Sequence, residues 1–311
     1  MTIHRQTSGV FIISATPFRD DGALDLESTD RLIDFYLEHG VSGITVLGMM
    51  GEAPKLAPDE ALAFLRRVFG RVAGRVPVLV GASAGGFEIM HRLMRAAMDL
   101  GAAGAMVAPP PGTNTEAKAA GYFAGVCEAL GPDVPLCVQD FPQASGVHLS
   151  PACISGLART HPQIVMLKHE DWPGLAKITA VRQAETADTP RLSILCGNGG
   201  LFLPQELARG ADGAMTGFAY PEMLVEVVRR HKAGETDGAE DLFDAYLPLV
   251  RYEQQPGAGL AARKEILRRR GAIASARCRA PGPTCSALDL ADLDRLMTRL
   301  DQRLTALGRA A

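Results

Sequence analysis

The feature that most constrains this chain is a count: eight short runs rich in Val, Ile, Leu and Ala, each ending in small or polar residues and followed by a longer stretch of helical period. The runs are 9–17, 43–49, 77–83, 104–110, 135–140, 164–170, 192–198 and 213–218. Near-continuous apolar strands alternating with helices are the pattern of a parallel sheet covered on its faces. Eight such units close more naturally into a (β/α)8 TIM barrel than into an open sheet. Helix signals fit between them. Ser28 precedes TDRLIDFYLEHG, which stops at Gly40, and Pro58, Pro151 and Pro221 stand at first turns. The similar segments GAAGAMV (101–107) and GADGAMT (210–216) read as two helix-to-strand turns that use glycine.

Beyond about residue 234 no further strand is expected. DGAEDLFDAYLPLV, GLAARKEILRRRG and DLADLDRLMTRLDQRLTALG carry apolar residues at three- and four-residue spacing, so the division is a barrel over 1–233 and a C-terminal helical region over 234–311. Hydrophobic residues at 47% against 22% charged support a sizeable folded core. The formal net charge of −3 gives no basic surface for nucleic acid or an anionic membrane, which leaves small-molecule chemistry. The six scattered cysteines form no CxxC pair and read as reduced packing residues. The apolar stretch near the N-terminus is broken at Pro17, too early for a signal peptide or a membrane span, so the cytoplasm is the expected compartment.

In such barrels catalysis sits at the C-terminal ends of the strands. Lys168 ends an otherwise apolar strand, where burial makes a neutral, nucleophilic amine accessible. The alternative is a structural lysine paired with Glu170 or Asp171. Asp140, beside Gln139, is a candidate general base or hydroxyl holder, with a loop-capping aspartate as the alternative. Glu52 is expected to orient neighbouring loops, and Thr16 and Thr216 to offer hydroxyls to the cavity or simply to pack. GNGG (197–200) is a possible anion cradle, in the manner of a phosphosugar isomerase, or a tight turn. His148 and His169 stand alone, with no metal-ligand spacing, and no nucleotide motif has a suitable context, so neither a metal nor a cofactor is expected.

Several of these segments occur together in a recognisable order: ATPF at 15–18, G-x-x-G-E at 48–52, PVLVGAS at 77–83, D-x-P at 140–142 and Lys168. With this set the chain resembles the dihydrodipicolinate synthase/N-acetylneuraminate lyase family over essentially its whole length. The resemblance implies a TIM barrel whose Lys168 forms a Schiff base with pyruvate or a related 2-keto acid, with Gly48, Met49, Met50, Glu52, Thr16, Gly197 and Thr216 around the substrate. It also implies a homo-oligomer, a tetramer built from dimers.

Departures from the family pattern are concentrated at the proton relay. GMMGE stands where the family has G-T-T-G-E, Gln139 where it has a tyrosine, and PPPG (109–112) where it has an aromatic pair. A side-chain amide or thioether cannot act as a general acid or base. VQDFPQASG and AMTG (214–217) look more like the branch of 2-keto-3-deoxy sugar acid dehydratases. The expectation is a lyase, dehydratase or aldolase, with Lys168, Asp140 and Gln139 as catalytic candidates. A dihydrodipicolinate synthase with an atypical relay and a non-catalytic keto-acid-binding barrel are the alternatives.

Overall fold

A computed structural model describes residues 1–308. Eight parallel strands close on themselves in chain order: β1 Gly9–Ile13, β2 Gly43–Val46, β3 Val78–Gly81, β4 Gly104–Val107, β5 Leu136–Asp140, β6 Ile164–His169, β7 Ser193–Cys196 and β8 Gly213–Ala214. The barrel and all eight strand positions agree with the sequence reading. Most of the expected strands run too long at their C-terminal ends. Segments such as Met215–Phe218 stay buried and largely apolar past the end of β8, the Met215 amide and Thr216 carbonyl still bonding to the neighbouring strands.

The helices between the strands are α1 Leu26–Glu38, α2 Pro58–Val72, α3 Phe87–Asp99, α4 Glu116–Leu130, the single turn α5 Pro142–Ser145, α6 Pro151–Thr160, α7 Leu175–Gln183, α8 Leu203–Leu207 and α9 Pro221–Lys232. Side-chain caps set several starts. Asp25 accepts from the Ser28 amide, so α1 begins two residues before Ser28, and Thr115 and Ser150 cap α4 and α6 in the same way. Pro58, Pro151 and Pro221 occupy first turns as expected. Gly101 and Gly210 take φ of +95° and +94°, which explains why both helix-to-strand turns carry glycine.

The core has two layers, separated by strand alternation. Phe11, Ile13, Leu79, Met106, Cys137, Met166, Leu195 and Met215 fill the barrel interior. Their neighbours along the strands, such as Val10, Ile12, Val138, Leu167 and Ile194, pack outward against the helices.

After α9 come α10 Thr236–Glu253, α11 Gly259–Arg269 and α12 Ala287–Ala306, the three expected tail helices. They wall one side of the barrel mouth. The fully buried Lys264 of α11 donates to the Thr16 carbonyl, to Glu52 and to the Arg277 carbonyl. In the same region Arg263 pairs with Glu253. Among the described residues no helix is long and apolar enough to cross a membrane.

Candidate active site

Alternation along β6 decides which groups face the interior. Met166 belongs to the interior layer, so Lys168 and then Glu170 follow on the same side, while Leu167 and His169 face the helices. On β5, Cys137 faces in and so does Gln139, which the register sets beside Lys168. Three polar side chains therefore meet at the mouth. Lys168 Nζ lies 3.0 Å from Glu170 Oε2, and Gln139 Nε2 donates to the same oxygen at 2.7 Å. Lys168, Gln139 and Glu170 are 5%, 4% and 6% exposed, so the contacts are made out of bulk water.

Local packing holds this carboxylate in place. A Cβ on Gly197 would lie 2.2 Å from Glu170 Cγ, so the turn after β7 must be glycine to admit the side chain. Asn198 donates its amide to the Glu170 carbonyl at 3.0 Å. Beneath Lys168 the Cys137 thiol is pushed up to about 12 by burial, against the opposing influence of the lysine charge, and stays a packing thiol.

Asp140 is the correction. It follows Gln139 by one residue and so faces away from the interior, where it is fully buried and takes Lys177 of α7 at 2.8 Å. The carboxylate beside the lysine is Glu170, which the sequence reading had weighed only as a structural partner. Its signal was present in the spacing, because residues i and i+2 of a strand share a face.

The remaining candidates surround the mouth and largely hold protein to protein. Gly48 opens a turn over Met49–Gly51, its carbonyl accepting from the Gly51 amide. Thr16 donates its hydroxyl proton to the Gly51 carbonyl at 2.6 Å. Glu52 is clamped by Lys264, Lys55 and the Arg279 amide, the loop-orienting use expected of it and not an open substrate contact. Met50 packs on the interior layer and Met49 is half exposed. Thr216 accepts from the Gly199 amide at 2.7 Å.

Within GNGG the Gly197 amide goes to the His169 carbonyl, that of Gly199 to Thr216 and that of Gly200 to Gly197. These donors are already engaged, which favours the tight-turn reading over an anion cradle. One inward hydroxyl escaped the sequence reading: Thr45 of β2, whose neighbours Ile44 and Val46 face outward, is buried with Oγ1 unpartnered among the described residues.

At this mouth a buried amine, a carboxylate against it and an orienting amide supply a nucleophile beside an acid/base group. The model of the dihydrodipicolinate synthetase family matches residues 6–299. The chain belongs to that family. It is 33% identical over 300 residues to the L-2-keto-3-deoxyarabonate dehydratase of Azospirillum brasilense, covering 94% of each chain. It is 30% identical over 247 residues to a 4-hydroxy-tetrahydrodipicolinate synthase of Caldicellulosiruptor bescii, covering 78% of this chain and 80% of the relative. A crystal structure of a dihydrodipicolinate synthase from Rhodopseudomonas palustris superposes with a TM-score of 0.94 at 49% identity, covering 96% of this chain and 99% of that one. This member of the family is an enzyme, a lyase of the class I aldolase type.

Proposed function

We propose that the chain is a Schiff-base-forming dehydratase of a 2-keto-3-deoxy sugar acid, with Lys168 as nucleophile and Glu170 as the acid/base group. The observation that carries this reading is the 3.0 Å approach of Glu170 Oε2, just past β6, to the inward Lys168 Nζ near its end. The Azospirillum relative, matched along nearly its whole length, bears the name of such a dehydratase.

The chemistry follows from the two groups. Glu170 accepts the ammonium proton, and the freed amine lone pair attacks the substrate C2 carbonyl. One proton moves from the nitrogen to the carbonyl oxygen and Glu170 returns the other, so the oxygen leaves as water, an iminium remains and Glu170 is a carboxylate again. That cation acidifies the C3 proton, which passes to a carboxylate oxygen of Glu170, and the electron pair enters the enamine. The enamine then expels the C4 hydroxyl, which leaves as water with a proton returned by the carboxyl group. Hydrolysis of the unsaturated iminium releases the product and restores Lys168. Gln139 carries no titratable proton; its amide fixes the carboxylate rotamer through the 2.7 Å hydrogen bond.

A synthase reading, condensing pyruvate with aspartate semialdehyde, has support from the named synthases among the relatives. Gln139 at the relay position argues against it. Incubating the enzyme with a panel of 2-keto-3-deoxy sugar acids, and separately with pyruvate plus aspartate semialdehyde, discriminates the two. Loss of one water from a sugar acid supports the dehydratase. Condensation without dehydration overturns it.

The proposed assembly is a homo-oligomer, dimer or tetramer. Two half-exposed aromatic rings, Trp172 and Phe202, pack at a tilt with centroids 4.8 Å apart, and Ile89 is 62% exposed; covering such groups favours association. The proposed compartment is the cytoplasm, consistent with six free cysteines.

A further inference from the structure

Behind the strand wall that carries Lys168 runs a second row of ionisable side chains. Register sets Asp140 of β5 beside His169 of β6, and His169 beside Cys196 of β7. This row alternates with Gln139, Lys168 and Leu195 and so faces outward, toward α7 and α8. Lys177 of α7 and the buried Glu206 of α8 close over it. The layer around them is otherwise apolar, with Val138, Leu167, Ile194, Leu203 and Leu207. An aliphatic side chain at 169 would suit it. Instead Asp140 Oδ1, both ring nitrogens of His169 and Glu206 Oε2 lie buried without a hydrogen-bond partner among the described residues. Native structures seldom keep such atoms without a role.

The ring is tightly held. Its Nδ1 lies 3.8 Å from Asp140 Oδ2, and on the far side a Cβ at Gly174 would fall 2.2 Å from Nε2. The same stretch of backbone aims the two inward groups: the His169 carbonyl accepts from the Gly197 amide at 2.8 Å, and the Glu170 amide donates to the Asp140 carbonyl at 2.9 Å. His169 is thus the residue between Lys168 and Glu170, anchored outward while they point inward.

We propose that His169, backed by Asp140 and Glu206, is a positioning residue for the Lys168–Glu170 pair, and that this buried outer cluster sets how firmly the pair is aimed. The inference rests on the reading of Lys168 as the nucleophile. The titratable and charged groups facing His169 are Asp140 from β5, Cys196 from β7, Glu206 from α8, and Asp171 and Lys177 from the turn and helix that follow β6; Glu170, next to it in the chain, points inward. Burial pushes the Glu206 carboxyl up to about 7, opposed by the His169 charge, so the group titrates in the working range of an enzyme.

The test uses the full chain, pyruvate and sodium borohydride, reading the rate of mass gain at Lys168 against pyruvate concentration and pH, beside thermal unfolding. His169→Leu is expected to unfold at or above the wild-type temperature. Its saturated trapping rate should fall about tenfold, with half-saturating pyruvate changed by less than about twofold. Glu206→Gln, nearly isosteric, should erase the limb of the wild-type pH profile near about 7. Unchanged saturated rates and pH profiles in both variants overturn the inference. If His169→Leu does not fold, the profile of Glu206→Gln decides alone. A wild-type chain that gains no adduct defeats the reading of Lys168 and this inference with it, whereas a trapped wild type with indifferent variants defeats only the inference.

Discussion

Lys168 near the end of β6 and Glu170 just past it stand two residues apart, and the extended pleat turns both into the barrel so that amine and carboxylate meet at 3.0 Å. The contact lies in a pocket almost closed to water, so amine and carboxylate act on each other with little solvent screening. Removing the carboxylate while keeping its shape separates the two roles. Glu170→Gln should lower turnover of a 2-keto-3-deoxy sugar acid by roughly 10²–10⁴-fold with a much smaller change in KM. Steady-state kinetics check this, and a variant within about twofold of wild type assigns the acid/base work elsewhere.

Gly197 predicts a steric phenocopy of that variant. A methyl group there meets Glu170 Cγ at 2.2 Å, so Gly197→Ala must push the carboxylate off the lysine or shift the turn. Activity should fall toward the Glu170→Gln level while the chain still folds, with an unfolding temperature lowered by a few degrees, about what 1–3 kcal/mol of strain produces. Circular dichroism melting beside the activity assay separates the two effects.

Glu206 makes stability depend on pH in a stated direction. Its carboxyl is raised from 4.5 to about 7 by burial, so the native chain keeps a proton there that the unfolded chain releases. The stabilisation is complete below the unfolded value near 4.5 and is lost as pH rises through about 7. Over that window wild type should lose about 3 kcal/mol relative to Glu206→Gln, which cannot titrate. Urea denaturation of both proteins at several pH values reads the difference, and parallel curves would remove Glu206 as the source.

Glu52 and Lys264 tie the loop after β2 to the C-terminal helices, with both side chains essentially inaccessible to solvent. Lys264→Met strands a buried carboxylate, still partly compensated by Lys55 and the Arg279 amide. It should cost about 3–5 kcal/mol, whereas Glu52→Leu with Lys264→Met together should cost less than the single change, because neither charge is left alone. Chemical denaturation of the single and double variants gives the coupling, and additivity of the two changes would show that the pair does not act as a unit.

The barrel was legible because each strand announces itself as an apolar run and the number of runs selects closure. Strand ends were not, since residues such as Met215 and Phe218 remain apolar and buried beyond the end of β8. Lys168 was legible as a lone charge in an apolar strand. Asp140 misled because sidedness reverses with every residue, so a carboxylate next to an inward Gln139 is necessarily outward. Lys264 lay in a helix and gave no sign of its contacts to Thr16 and Glu52, which lie more than two hundred residues away in sequence.

Covalent trapping tests the central claim most directly. With pyruvate or a 2-keto-3-deoxy sugar acid and borohydride, the wild-type chain should gain the mass of one reduced keto acid, peptide mapping should place it on Lys168, and Lys168→Ala should gain nothing. An adduct on any other residue, or full turnover by Lys168→Ala, would contradict the account.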